Sequence, residues 1–211
     1  MSTSRPDPDE KRPDVEHDVD EAVALLRAGH VIAYPTDTFY ALGALATSEA
    51  AVAEVLRVKE RLPEKTLPLI AADDRQVEWL SGTLPPRVRQ LADRWWPGPL
   101  TLVMNVHREL APGVVAPDGS VAVRVPAHDV ARALARHAGG PLTSTSANRT
   151  GQPPAATAEA CLALGDALAC VVDRGPTRAT VPSTIVDVRG PDLRLIREGA
   201  VPWAHVLHST R

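Results

Sequence analysis

Residues 19–43 read VDEAVALLRAGHVIAYPTDTFYALG, and the fold is decided here. Val19, Ala22, Val23, Leu25 and Leu26 recur at helical spacing, and Gly29 is placed to end that helix. His30–Tyr34 is a short β-prone run closed by Pro35. Residues 36–43 are expected to form a polar turn passing into an apolar loop. Helix, strand and a polar loop at the strand end are the parts of an α/β sheet that binds ligands at its strand ends.

The same alternation continues along the chain. Ser48 is placed to cap a helix running to about Lys59, with Ala51, Val52, Val55 and Leu56 on its inner face. Further helices are expected over 73–80, 86–95, 129–137 and 157–164. Strands are expected over 67–71, 100–106, 120–125, 141–146, 169–173, 183–188 and 193–196. Trp96-Pro-Gly-Pro99 is a breaker between two of them. There is no internal repeat and no Pro/Gly/Ser-rich linker. The expectation is an α/β fold with an open, twisted mixed sheet and flanking helices. It forms one domain over 17–211, behind a polar, acidic, disordered tail over 1–16.

Composition narrows the function. The chain has 211 residues, 44% apolar and 23% charged, enough for a large core. Its net charge of −3 argues against a protein that binds nucleic acid mainly through its overall field. Aromatic residues are 3% of the chain, too few for a row of base-stacking platforms. No apolar run approaches the roughly 20 residues of a membrane span. The first 20 residues lack the apolar core of a secretory signal. Cys161 and Cys170 form neither a C-x-x-C pair nor a disulfide framework, and read as buried thiols of a cytoplasmic protein. P-loop, dinucleotide-binding and nucleophile-elbow motifs are absent, and the His residues lack zinc-ligand spacing.

Of 23 basic residues only three are Lys, and two of those, Lys59 and Lys65, fall in one short window with Arg61. Cations just beyond a helix C-terminus serve the helix dipole. Three of them on a segment stiffened by Pro63 and Pro68 also suit a polyphosphate. Pro35-Thr-Asp-Thr38 offers hydroxyls to a small polar ligand, or a self-satisfied turn. Ser144-Thr-Ser-Ala-Asn148 offers hydroxyls and an amide to a ligand, or a capped turn. Arg124 shares a strand face with Ala122, away from Val121, Val123 and Val125. It is either a solvated charge or a fork for a carboxylate. Ser183 and Arg197, at opposite ends of two late strands, carry no signal alone.

Taken in order, these segments resemble the YrdC/TsaC family, whose members make L-threonylcarbamoyladenylate for tRNA modification. The matching stretches are Tyr34–Gly43, Lys59–Arg61 through Leu69, Trp96–Leu102, Val121–Pro126, Ser144–Asn148, Pro182–Asp187 and Leu195–Gly199, nearly the whole chain after the tail. The resemblance implies a deep, positively lined cavity and the joining of L-threonine, bicarbonate and ATP with release of pyrophosphate. It implies Thr38, Arg124, Ser144 and Ser183 as L-threonine contacts. Arg61, Lys65, Ser120, Ser146, Asn148, Pro154 and Arg197 become ATP contacts. Lys59 and Arg61 become the catalytic cations, with Mg²⁺ on the phosphates and no ligand set assigned. Three departures stand out: Ala41 for a usual Gly, Leu62 for a usual Pro, and Ile70 where some relatives place a His near threonine.

The chain is expected to be a short form lacking the C-terminal domain of longer relatives, its product passing to a separate threonylcarbamoyl transferase complex. The alternative is an RNA- or tRNA-binding module of the same fold without synthase activity. Carbamoyl transfer, as in related domains of hydrogenase maturation, belongs to much longer chains.

Overall fold

The computed structural model describes residues 15–60, 66–179 and 181–210. The first helix, α1 (Val15–Arg27), begins ahead of Val19, and the rest of the expected tail lies outside the described residues.

Two sheets form, where one was expected. Strands β1 (Ile32–Tyr34), β2 (Ala41–Gly43), β7 (Thr145–Ser146) and β8 (Cys170–Val171) make the smaller, in the order β7-β2-β1-β8. The larger holds β3 (Leu69–Ile70), β4 (Leu100–Asn105), β5 (Ser120–Arg124), β6 (Leu142–Thr143), β9 (Thr184–Asp187) and β10 (Arg194–Arg197). Its order is β10-β9-β4-β5-β3-β6. Both are mixed: β1 is antiparallel to β2 and parallel to β8, and β4 is antiparallel to β5 and parallel to β9.

The division runs through Pro141–Ser146, expected as a single strand. It breaks at Ser144: β6 pairs with β3 of the larger sheet and β7 with β2 of the smaller. Thr143 fixes the break. Its buried hydroxyl donates to Leu42 O (2.8 Å) and accepts from Ala44 N (2.9 Å), while its carbonyl accepts from the Tyr34 hydroxyl (2.8 Å). Ser144 N then donates to Pro68 O (2.7 Å). Thr143→Val keeps the shape and strands two buried backbone groups, so it is expected to cost about 2 kcal/mol in thermal or urea unfolding.

Residues 41–43, expected as loop, are strand β2. Three residues are too few for alternation to be read. Gly43 is required there, because a Cβ would lie 2.7 Å from the Tyr34 ring. A C-terminal helix (Trp203–His208) was not expected either; six residues with one buried anchor, Val206, leave no periodic trace.

The remaining helices follow the expected pattern: α2 (Glu49–Val58), α3 (Asp74–Ser81), α4 (Pro86–Trp95), α5 (Asp129–Ala138) and α6 (Ala158–Cys161), the last continuing as a 3₁₀ turn. Ser48 and Asp73 cap α2 and α3 by accepting from Ala51 N and Gln76 N. Helices α1 and α5 pack together, with Val23, Leu26 and Leu134 against Ile32, Tyr34 and Leu142. The main core joins α2–α4 to Leu42, Leu100, Leu102 and Val123. No described helix is long and apolar enough to cross a membrane.

This packing uses one face of the larger sheet. Leu100, Leu102, Val121, Val123 and Val186 point into the core. Their alternates, Thr101, Val103, Ala122, Arg124 and Ile185, are left on the opposite face, and that face lines a cavity.

Candidate active site

The cavity has a volume of about 1030 Å³. Single small-molecule sites span roughly 300–1,000 Å³, so this one lies at the top of that range. Two polar clusters line it.

The first joins the end of α2 to the loop after β7. Lys59 is the C-cap of α2 and is 4% exposed. Its ammonium donates to Ser146 O (2.9 Å), Asn148 O (2.8 Å) and Asn148 Oδ1 (2.6 Å), with Ser146 Oγ at 3.4 Å. The two sequence pairs, one around Lys59 and one at Ser146 and Asn148, therefore meet through space at a separation of 87–89 residues. Thr150 Oγ1 donates to Lys59 O, closing the loop onto the helix end. Glu60 follows with φ 47°, a left-handed backbone that a non-glycine residue adopts at a cost of roughly 1–2 kcal/mol. Such strain is held where the surroundings fix it, here beside the cavity.

The second cluster surrounds Arg124, also 4% exposed. The solvated-charge alternative for this residue is excluded. Nη1 is ion-paired with Asp37, and Nη2 donates to Thr38 Oγ1 (3.1 Å) and Thr36 Oγ1 (3.3 Å). Thr36 Oγ1 donates onward to Phe39 O (2.8 Å). Nearby, Arg197 donates twice to Ser183 O (2.8 and 3.2 Å) and once to Ser183 Oγ (3.3 Å). Ser183 Oγ and Thr101 Oγ1 are hydrogen-bonded at 2.9 Å. Desolvation of its guanidinium and then the charge of Arg124 lower the pKa of Arg197. A buried guanidinium, Arg124, and an exposed one, Arg197, bring like charge to the same cavity, which favours an anion between them.

Of the sequence-predicted site residues, Thr38, Lys59, Arg124, Ser144, Ser146, Asn148, Pro154, Ser183 and Arg197 all line this one cavity. Ser120 does not. It sits at the outer start of β5, its hydroxyl donating to Asp118 Oδ1 (2.7 Å), beside the Asp118–Arg189–Asp187 ion pairs. Arg61 and Lys65 lie outside the described residues. Ile70 is buried against the α1/α5 layer and does not face the cavity. Thr101 was not singled out from sequence, and Asp37 was read only as part of a self-satisfied turn. The signal for Thr101 was a hydroxyl on the non-core phase of an alternating strand. Asp37 had none beyond its place between two threonines. Among the described residues no three His, Cys, Asp or Glu side chains are grouped to hold a metal ion.

Fold and site together define an α/β protein whose sheet face carries a cavity lined by cationic and hydroxyl side chains. The chain belongs to the Sua5/YciO/YrdC family, whose model, described as telomere recombination, matches residues 24–199. It is 38% identical to the threonylcarbamoyl-AMP synthase of Bacillus subtilis over 86% of this chain and 53% of that one. It is 41% identical to the threonylcarbamoyl-AMP synthase of Thiobacillus denitrificans over 78% of this chain and 88% of that one. Its fold matches the crystal structure of P. abyssi Sua5 complexed with L-threonine with a TM-score of 0.87. That match is at 32% identity and covers 94% of this chain and 58% of that one. The chain thus spans about half the length of the Bacillus relative and most of the Thiobacillus one.

Proposed function

We propose that the protein is an L-threonylcarbamoyladenylate synthase. The reading rests on one observation: the Lys59–Ser146–Asn148 cluster and the Arg124–Ser183–Arg197 cluster open into the same cavity. The reaction needs no enzyme nucleophile. The threonine amine and bicarbonate give a carbamate with loss of water. A carbamate oxygen then attacks the α-phosphorus of ATP, and pyrophosphate leaves. What the protein must supply is proximity, positive field and shelter for a labile carbamate.

In this reading the threonine carboxylate lies against Arg124 and Thr38, with Ser144 and Ser183 around the amino acid. The triphosphate lies between Lys59 and Arg197, with Arg61 and Lys65 assigned to it by family resemblance alone. Ile196, half exposed and lining the cavity with Pro154 and Pro182, gives the adenine an apolar edge. Mg²⁺ enters as part of the ATP complex, holding mainly phosphate oxygens and water. The product, a reactive mixed anhydride, passes to a separate transferase complex that acts on tRNA in the cytoplasm.

The purified chain is expected to release pyrophosphate from Mg²⁺·ATP only when L-threonine and bicarbonate are both supplied. Release that ignores threonine, or tight RNA binding with no release, overturns the synthase reading in favour of hydrolysis or of a binding module.

A further inference from the structure

We infer that Asp37 is a positioning residue of the amino-acid subsite, setting the orientation in which Arg124 receives the substrate carboxylate. The inference rests on the synthase reading for the identity of that carboxylate. Asp37 is absent from the cavity lining. It acts through Arg124, and the two side chains are 11% and 5% exposed.

The argument is one of donor accounting. A guanidinium presents its N–H groups in a rigid plane, so fixing two directions fixes the rest. Among the described residues, Nη2 of Arg124 is held by two threonine hydroxyls, both rotatable. Nη1 has Gly98 O at 3.5 Å, at the limit of a hydrogen bond, and Asp37 Oδ1. Asp37 is therefore the one charged, directional anchor of the fork among the described residues. Its second oxygen, Oδ2, is buried with no hydrogen-bond partner. A buried oxygen left unpaired is costly, so turn geometry alone does not account for a carboxylate here. Its pairing with Arg124 does. Thr36 gives its own proton to Phe39 O, so the Thr38 hydroxyl, which accepts from Arg124, donates to Thr36 Oγ1 at 3.0 Å, and the two threonines hold Nη2 as one hydrogen-bonded pair. Arg124 thus links the buried Asp37 to Thr38 on the cavity wall.

The test compares Asp37→Ala and Asp37→Asn with the native chain. L-threonine affinity is read by titration calorimetry, and the threonine and ATP KM values by pyrophosphate release. Asp37→Ala removes the anchor and is expected to raise the threonine Kd and KM about tenfold, with the ATP KM within about twofold. Asp37→Asn keeps an acceptor at Oδ1 and is expected to recover most of that loss, to within about threefold of native affinity. A threonine Kd unchanged in Asp37→Ala overturns the inference. So does a parallel rise in both KM values that tracks a lowered melting temperature, since that is a structural role. So does an Asp37→Asn variant that binds threonine more tightly than the native chain, since Asp37 would then only be damping the charge of Arg124. A native chain that binds L-threonine yet releases no pyrophosphate leaves the positioning role standing and removes the synthase reading. A native chain that binds no L-threonine overturns both.

Discussion

Lys59→Met is expected to lower pyrophosphate release about 10³-fold, the loss typical when a charged donor is removed from a water-poor site. Thermal unfolding should show the chain still folded. The substitution keeps the length and the apolar stem, and the main core holds α2 through Val52 and Val55 rather than through Lys59. What disappears is a tetrahedral ammonium whose protons converge on Ser146 O, Asn148 O and Asn148 Oδ1. Two consequences follow together. The cavity loses a buried positive charge, and the 146–148 loop loses the tie that holds it against the end of α2. Lys59→Arg restores the charge and not the tie, because a planar fork cannot point three protons at a convergent set of acceptors. It is expected to remain at least tenfold below the native rate. If Lys59→Arg turns over at the native rate, the charge alone matters and the convergent geometry does not. If Lys59→Met unfolds at room temperature, the residue is structural.

The contrast between the two hydrogen-bonded clusters shows what a linear reading can and cannot reach. Lys59 stood out because lysine is scarce and Asn148 because an amide follows a run of hydroxyls, and the family resemblance supplied their pairing. Their meeting across 89 residues was invisible, since it depends on the strand breaking at Ser144 and switching sheets. The run Pro141–Ser146 reads as one strand. Nothing local says that Thr143 will spend its hydroxyl on the edge of the neighbouring sheet. The same holds for Arg124. Its strand and its face follow from the valines around it, but its burial depends on Asp37, far away in sequence. Long periodic elements such as α5 and β4 were legible because one buried face writes itself into the sequence. Elements of two to six residues, β2 and the last helix among them, were not. Ser120 fell on the right strand and the wrong end of it; resemblance supplied a role, while the register of β5 against β4 places its hydroxyl beside Asp118.

Gly199→Ala is expected to damage stability and substrate binding together. The segment 199–201 is clasped to 182–184. Gly199 N and Val201 N both donate to Thr184 Oγ1, at 2.9 and 3.0 Å, and that hydroxyl donates to Val201 O at 2.6 Å. Ala200 N donates to Pro182 O at 2.9 Å. The clasp brings the backbones so close that a Cβ on Gly199 would lie 2.2 Å from Pro182 O and 2.7 Å from Ser183 O. Both obstacles are backbone, so no side chain can turn aside, and the Pro182–Ser183 strand entrance must move. An overpacked site of this kind costs about 3 kcal/mol, which corresponds to about 6–12 °C in melting temperature for a domain of this size. The displaced residue is Ser183, whose carbonyl carries Arg197 and whose hydroxyl meets Thr101. The threonine KM is therefore expected to rise about tenfold, measured well below the lowered melting point. Gly140→Ala is the matched control: its Cβ would meet only Leu45, at an ordinary 3.7 Å, and neither quantity should change. A Gly199→Ala chain that melts with the native protein and keeps its threonine KM would show that the clasp yields freely. The position of Ser183 would then be set by Arg197 and Thr101 rather than by the backbone behind it.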